Sequence, residues 1–136
     1  MSKTPKPLPR LDDHNRPFWD AAKRGELHLQ VCLDCATPRF PATRYCAACH
    51  GERSEWRKAS GKGTVQSFCI FHQVYFEGFR DEVPYNVVVV TLDEGPRLFS
   101  NLVGIANEDI SSGMPVAVHF DPVTPDVTLV KFKPAQ

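Results

Sequence analysis

Two short cysteine pairs limit what this chain can become more than any other feature. Cys32-x-x-Cys35 and Cys46-x-x-Cys49 stand ten residues apart. A CxxC turn points two sulfurs at one centre, and two such turns on facing hairpins complete a tetrahedron that suits zinc. A core this small buries too little apolar surface alone, so the metal supplies folding energy. Four thiolates leave no open position for a water, which makes the predicted zinc structural rather than catalytic. His28 and His50 flank the pairs and are expected to be solvated or to hydrogen-bond around the site, since the shell is already full. Four of the five cysteines lie in these pairs, a pattern of a reducing compartment where thiols hold metal instead of forming disulfides. The expected location is the cytoplasm.

The remaining length allows one modest core beside the ribbon. No run approaches the roughly eighteen apolar residues of a membrane span, and the start MSKTPKPLPRLDD lacks the apolar centre of a secretory signal. Net charge is zero, but unevenly spread. Residues 1–59 carry 11 Lys and Arg against 7 Asp and Glu, and residues 60–136 carry 5 against 9.

The fold expected is mainly β, with an N-terminal helix, a rubredoxin-like zinc ribbon and a C-terminal five-stranded OB-fold barrel. Residues 1–11 are rich in Pro and Lys and read as extended or flexible. Residues 12–25 read as a docking helix, with Pro17 in its first turn and Gly25 as its stop. Residues 26–59 form the ribbon, entered by a strand over 26–31. From residue 60 the texture is all-β, with strands predicted over 63–75, 85–92, 97–104, 115–120 and 127–132 and a short helical turn within 107–113. Five strands with a small helix between the third and fourth match the order of an OB-fold. The run Val87 to Val90 predicts a strand buried on both faces. The long first strand groups Phe68 with Ile70, and Val65 with Cys69 and Phe71 on its other side. Both sides are apolar, so its outside wants a cover, either the Trp19 helix or a partner.

No catalytic constellation is visible. Cys69 and His72 lie three apart on a strand and so on opposite faces; Cys69 is expected to be an ordinary buried residue. Phe71, His72, Tyr75, Phe76, Phe79 and Tyr85 concentrate aromatic area around the first long loop, which in an OB-fold is the usual ligand side. Phe18, Trp19, Tyr75, Phe76, Phe79 and Tyr85 are the candidate partner contacts. Lys62 and Arg80 are basic residues placed near the barrel rim. A ribbon joined to an OB-fold also admits an alternative reading as a nucleic-acid-binding module. The acidic barrel region argues against it, because a phosphate track needs basic residues.

The ordered set of motifs resembles a family of zinc-ribbon and OB-fold proteins, once classed as a domain of unknown function, that accompany thiolase-like enzymes. The resemblance runs through Pro17-Phe18-Trp19, Arg24 to Leu27, the two CxxC units, Phe40-Pro41, Ser60 to Val65, Pro84-Tyr85, Leu92 to Pro96 and Gly113 to Val116. It implies a non-catalytic auxiliary subunit that docks on a thiolase-like or lipid-transfer-protein-like enzyme, whether thiolase, synthase or retro-aldolase. It also implies that the subunit helps form the partner's CoA or acyl channel, with an acyl-CoA at the shared interface, and makes Lys62 and Arg80 the candidate contacts for the CoA phosphates. No nucleic acid and no membrane enter that picture.

Overall fold

The computed structural model describes residues 6–135. The expected flexible stretch over 1–11 therefore lies partly outside the described residues. Residues 6–11 carry no helix or strand.

The helix, α1, spans Arg16–Lys23, four residues shorter at its start than the sequence suggests. Asp12 explains the delay. Its carboxylate accepts the backbone N–H groups of His14 and Asn15, both at 2.9 Å, while Asn15 Oδ1 accepts the Asp12 N–H at 2.8 Å. These local bonds hold residues 12–15 in a turn that competes with helix. The other end stops as expected. Gly25 takes φ +81°, its N–H reaches Ala22 O and the Glu26 N–H reaches Ala21 O, each at 2.9 Å. This paired C-terminal closure needs the left-handed conformation that glycine adopts without strain.

The ribbon is a three-stranded antiparallel sheet. β1 (His28–Cys32) lies between β2 (Pro38–Arg39) and β3 (Ser54–Lys58). Gln30, buried at the middle of β1, pins the ribbon together. Its amide donates to Ser54 Oγ at 2.9 Å, and its carbonyl oxygen accepts from Arg39 Nε at 3.0 Å and the Thr43 N–H at 2.9 Å. A buried amide with its donor and both lone pairs engaged stabilises instead of costing.

The second sheet has β4 (Lys62–Phe71), β5 (Tyr85–Leu92), β6 (Arg97–Ser100), β7 (Pro115–Pro122) and β8 (Thr128–Pro134), in spatial order β6-β5-β4-β7-β8. The sheet curls until Leu102, just past β6, bridges Phe132 of β8 in parallel. Five strands, that order, and a 3-10 turn over Asn107–Asp109 between the third and fourth give the OB-fold.

Three details of the sheet differ from expectation. First, β5 is buried on one face only: Asn86, Val88, Val90 and Leu92 are buried while Val87, Val89 and Thr91 are half-buried. The valine run reflects β propensity and not a two-sided burial. Second, a bulge between Val65 and Ser67 shifts the register, so Val65, Phe68 and Ile70 oppose Val90, Val88 and Asn86 on the inner side, where Phe68 stays 37% exposed, and Ser67, Cys69 and Phe71 oppose Val89, Val87 and Tyr85 outside. One extra residue reverses the alternation beyond it. Cys69 is accordingly exposed, not buried. Third, α1 packs on β1, β7 and β8. It leaves the outside of β4 bare.

One core spans both modules. Phe18 of α1 and Leu27 and Leu29 of the ribbon cluster with Val65, Val88, Val90, Leu98 and Phe132 of the barrel. Gly63 fits that packing only without a side chain, because a Cβ there would lie 2.5 Å from the Thr91 carbonyl oxygen.

Candidate metal centre and docking surface

The two knuckles are built alike. In each, the residue after the second cysteine returns its N–H to the carbonyl of the first, Ala36 to Cys32 at 2.9 Å and His50 to Cys46 at 2.8 Å. Both Ala36 and His50 hold positive φ, +64° and +65°, a conformation that costs a non-glycine residue about 1 kcal/mol or more. In each, the amide two residues on points at the first sulfur: Asp34 N–H to Cys32 Sγ and Ala48 N–H to Cys46 Sγ, both at 3.4 Å.

The result gathers all four sulfurs within 4.8 Å of one another. Cys32 and Cys49 come to 3.5 Å, Cys35 and Cys46 to 3.6 Å. Zinc–sulfur bonds of about 2.3 Å in a tetrahedron require sulfurs about 3.8 Å apart, so the donor set fits one ion. The backbone favours the thiolate at the first sulfur of each knuckle. N–H groups of Cys49 and then Ala48 lower the Cys46 thiol to about 6, and those of Cys35 and Asp34 lower Cys32. Arg53 pairs with Asp34 in the first knuckle, setting a cation beside a centre that carries two net negative charges when zinc is held.

The two histidines stand apart from the metal shell. His28 is at the far end of β1 from Cys32, where its Nε2 meets Glu26 Oε1 at 2.8 Å. His50 serves the second knuckle through its backbone. Cys69 and His72 are both exposed, and no hydrogen bond joins them among the described residues.

The aromatic loop closes on itself as a chain of rings. Tyr75 lies 5.8 Å from Phe71, Phe71 is 5.2 Å from Tyr85, Tyr85 stacks on Phe79 at 5.2 Å, and Phe79 meets Phe76 at 6.4 Å. A 3-10 helix over Glu77–Glu82, with no buried residue, carries the loop back to β5. Tyr75 and Phe76 remain 63% and 57% exposed. The register continues this surface across the outside of the sheet, through Cys69, Val87 and Val89 to Phe99, which is 78% exposed. The sequence gives no sign of Phe99 as a surface residue; only its pairing with Val89 places it there.

Three candidate contacts change standing. Phe18, read as a docking residue, is 5% exposed and packs edge-on against Trp19 at 4.9 Å and tilted against Phe40 at 5.2 Å. It is a core residue, and of the two aromatic residues of α1 only half-buried Trp19 reaches the surface, in a groove of about 220 Å³ shared with Phe40, Pro41 and Trp56. Lys62 and Arg80, both read as near the rim, lie apart: Lys62 opens β4, a strand roughly 30 Å long at ~3.3 Å per residue, and Arg80 is in the 3-10 helix beyond its far end. Arg80 is also committed to Glu77 through two bonds, at 2.7 and 2.5 Å. They do not form a single phosphate site.

Comparison with known proteins places these features in a family. Residues 19–55 match the model for the ChsH2 rubredoxin-like zinc ribbon domain, and residues 56–121 that for the ChsH2 C-terminal OB-fold domain. A DUF35 domain-containing scaffold protein of Methanocaldococcus jannaschii is 32% identical over 77% of this chain and 79% of its own length. A probable enoyl-CoA hydratase alpha subunit of Thermomonospora curvata is 38% identical over 98% of this chain, which spans only 41% of that protein. Among solved structures, a chain of the Ltp2-ChsH2(DUF35) aldolase is 37% identical, with a TM-score of 0.85 over 95% of this chain and all of that one. Among the described residues no helix is long and apolar enough to cross a membrane.

Proposed function

The chain belongs to the DUF35 family, whose members join a rubredoxin-like zinc ribbon to an OB-fold, and from that premise we propose that it is a non-catalytic auxiliary subunit docking on a thiolase-like acyl-CoA enzyme. The printed descriptions of its relatives support such a role: scaffold protein, hydratase alpha subunit, aldolase complex. So does the chemistry of its own residues. A metal closed by four sulfurs folds the chain and offers no open position for a reaction. Zinc, when bound, supplies that closure; the knuckle amides and Gln30 hold the ribbon that carries it.

The observation that carries the reading is the uncovered aromatic surface of Tyr75 and Phe76, continuous with the outer sheet face that ends at Phe99. A monomer gains nothing by presenting such a patch to water, whereas exposed aromatic anchors are what partner interfaces bury. In this reading the partner holds the catalytic residues and the acyl-CoA, and the aromatic loop forms one wall of its channel. Lys62, at the far end of β4, takes no part.

The test is a binding measurement between this chain and its co-purifying enzyme. Tyr75→Ala and Phe76→Ala together should weaken the complex by roughly 30-fold or more, as removal of interface anchors worth about 2 kcal/mol does. An unchanged Kd in the double variant, with its melting temperature preserved, removes the loop from the interface. Absence of any co-purifying acyl-CoA enzyme removes the proposal itself.

A further inference from the structure

The barrel mouth opens into a cleft of about 360 Å³, lined on one side by Lys6, Pro7 and Leu8 and on the other by Phe79, Tyr85 and Asn86. Its size suits a small ligand, but its polar groups are spoken for. The Asn86 amide donates to Leu102 O at 3.0 Å, Asn86 Oδ1 accepts the Leu102 N–H at 2.7 Å, the Asn101 amide donates to Asn86 O, and the Asn107 amide donates to Pro84 O at 3.1 Å. Lys131 pairs with Asp121 at 2.7 Å. The cleft is a seat for the chain's own N-terminal segment.

Lys6 does two things there at once. Its Nζ lies 2.8 Å from Glu82 Oε2, at the end of the 3-10 helix of the aromatic loop, and 5.6 Å from the centre of the Phe79 ring. That helix buries no residue of its own. Besides this clasp, the loop is tied to the barrel by the Phe79–Tyr85 stack, the Tyr75–Phe71 ring contact and the Asn107 bond to Pro84. We propose that residues 6–8 are a latch, in which Lys6 clasps Glu82 and Phe79 and fixes the aromatic loop against the barrel mouth before any partner arrives. A charge pair plus a cation over a ring is the means: neither group is deeply buried, so the clasp is reversible and salt-sensitive. Its benefit to docking, a loop already ordered when it meets the enzyme, rests on the function proposed above. The clasp itself does not.

Hydrogen exchange on the isolated, metal-loaded chain tests it. In low salt, Lys6→Glu or Glu82→Lys should speed exchange of amides 76–82 about fivefold, leaving β5 and β8 amides unchanged. The double swap, Lys6→Glu with Glu82→Lys, should recover much of that protection, and raising salt should move the parent toward the single variants. Equal loop exchange in parent and single variants overturns the latch, as does a swap no better protected than either single change. A latch confirmed in the isolated chain while the complex ignores it would overturn only the link to docking.

Discussion

Phe18→Ala separates a core role from a docking role for the first aromatic residue of α1. Burying a Phe removes about 150–250 Å² from water, which at about 25 cal/mol/Å² gives roughly 4–6 kcal/mol as an upper limit against an extended chain. Alanine keeps a part of that, and the cavity left behind adds to the loss. Two ring contacts, with Trp19 and Phe40, go as well. A destabilisation of about 4 kcal/mol follows, within the range of Phe→Ala changes in cores. For a domain of this size that is a fall in Tm of roughly 15 °C. Thermal melts followed by circular dichroism, with zinc content measured in parallel, provide the assay. A variant melting within about 3 °C of the parent would mean that Phe18 is not part of the shared core, and the link between ribbon and barrel would fail with it.

Two further outcomes follow from the site and the sheet. Cys46→Ser removes a buried ligand from the tetrahedron and should abolish stoichiometric zinc in elemental analysis; because Leu27 and Leu29 belong to the barrel's core cluster, barrel amides should also lose exchange protection. Gly63→Ala drives a Cβ into the Thr91 carbonyl oxygen and Val90 Cγ1 and should cost about 1–3 kcal/mol in urea unfolding, unlike an alanine at Gly95, where nothing lies within 4 Å of the added carbon and only the backbone is strained.

Much of this molecule is legible in its sequence because the decisive signals are local. Each CxxC unit declares its knuckle within four residues, and the turn at Asp93 to Pro96 and the break at Gly113 mark the strands on either side. What escaped was set by distance or by parity. Nothing in eight helical residues tells which of two adjacent rings, Phe18 or Trp19, turns inward; that depends on where β1 and Phe40 lie. Lys62 and Arg80 looked like neighbours on a rim until the full length of β4 came between them. Lys6 gave no local sign of its clasp, since its partners are more than seventy positions away. The αL positions at Ala36 and His50 carry no glycine to announce them.

Gln66 works as a parity bit. Drawn into the ladder instead of bulging out of it, Gln66 would give β4 unbroken two-residue alternation, so that Val65 would point the same way as Ser67, Cys69 and Phe71, while Ile70 rotated outward. The aromatic loop would then leave the strand from the wrong side. A single polar residue with no contact of its own to the metal or the loop thus decides which surface of the protein meets the world.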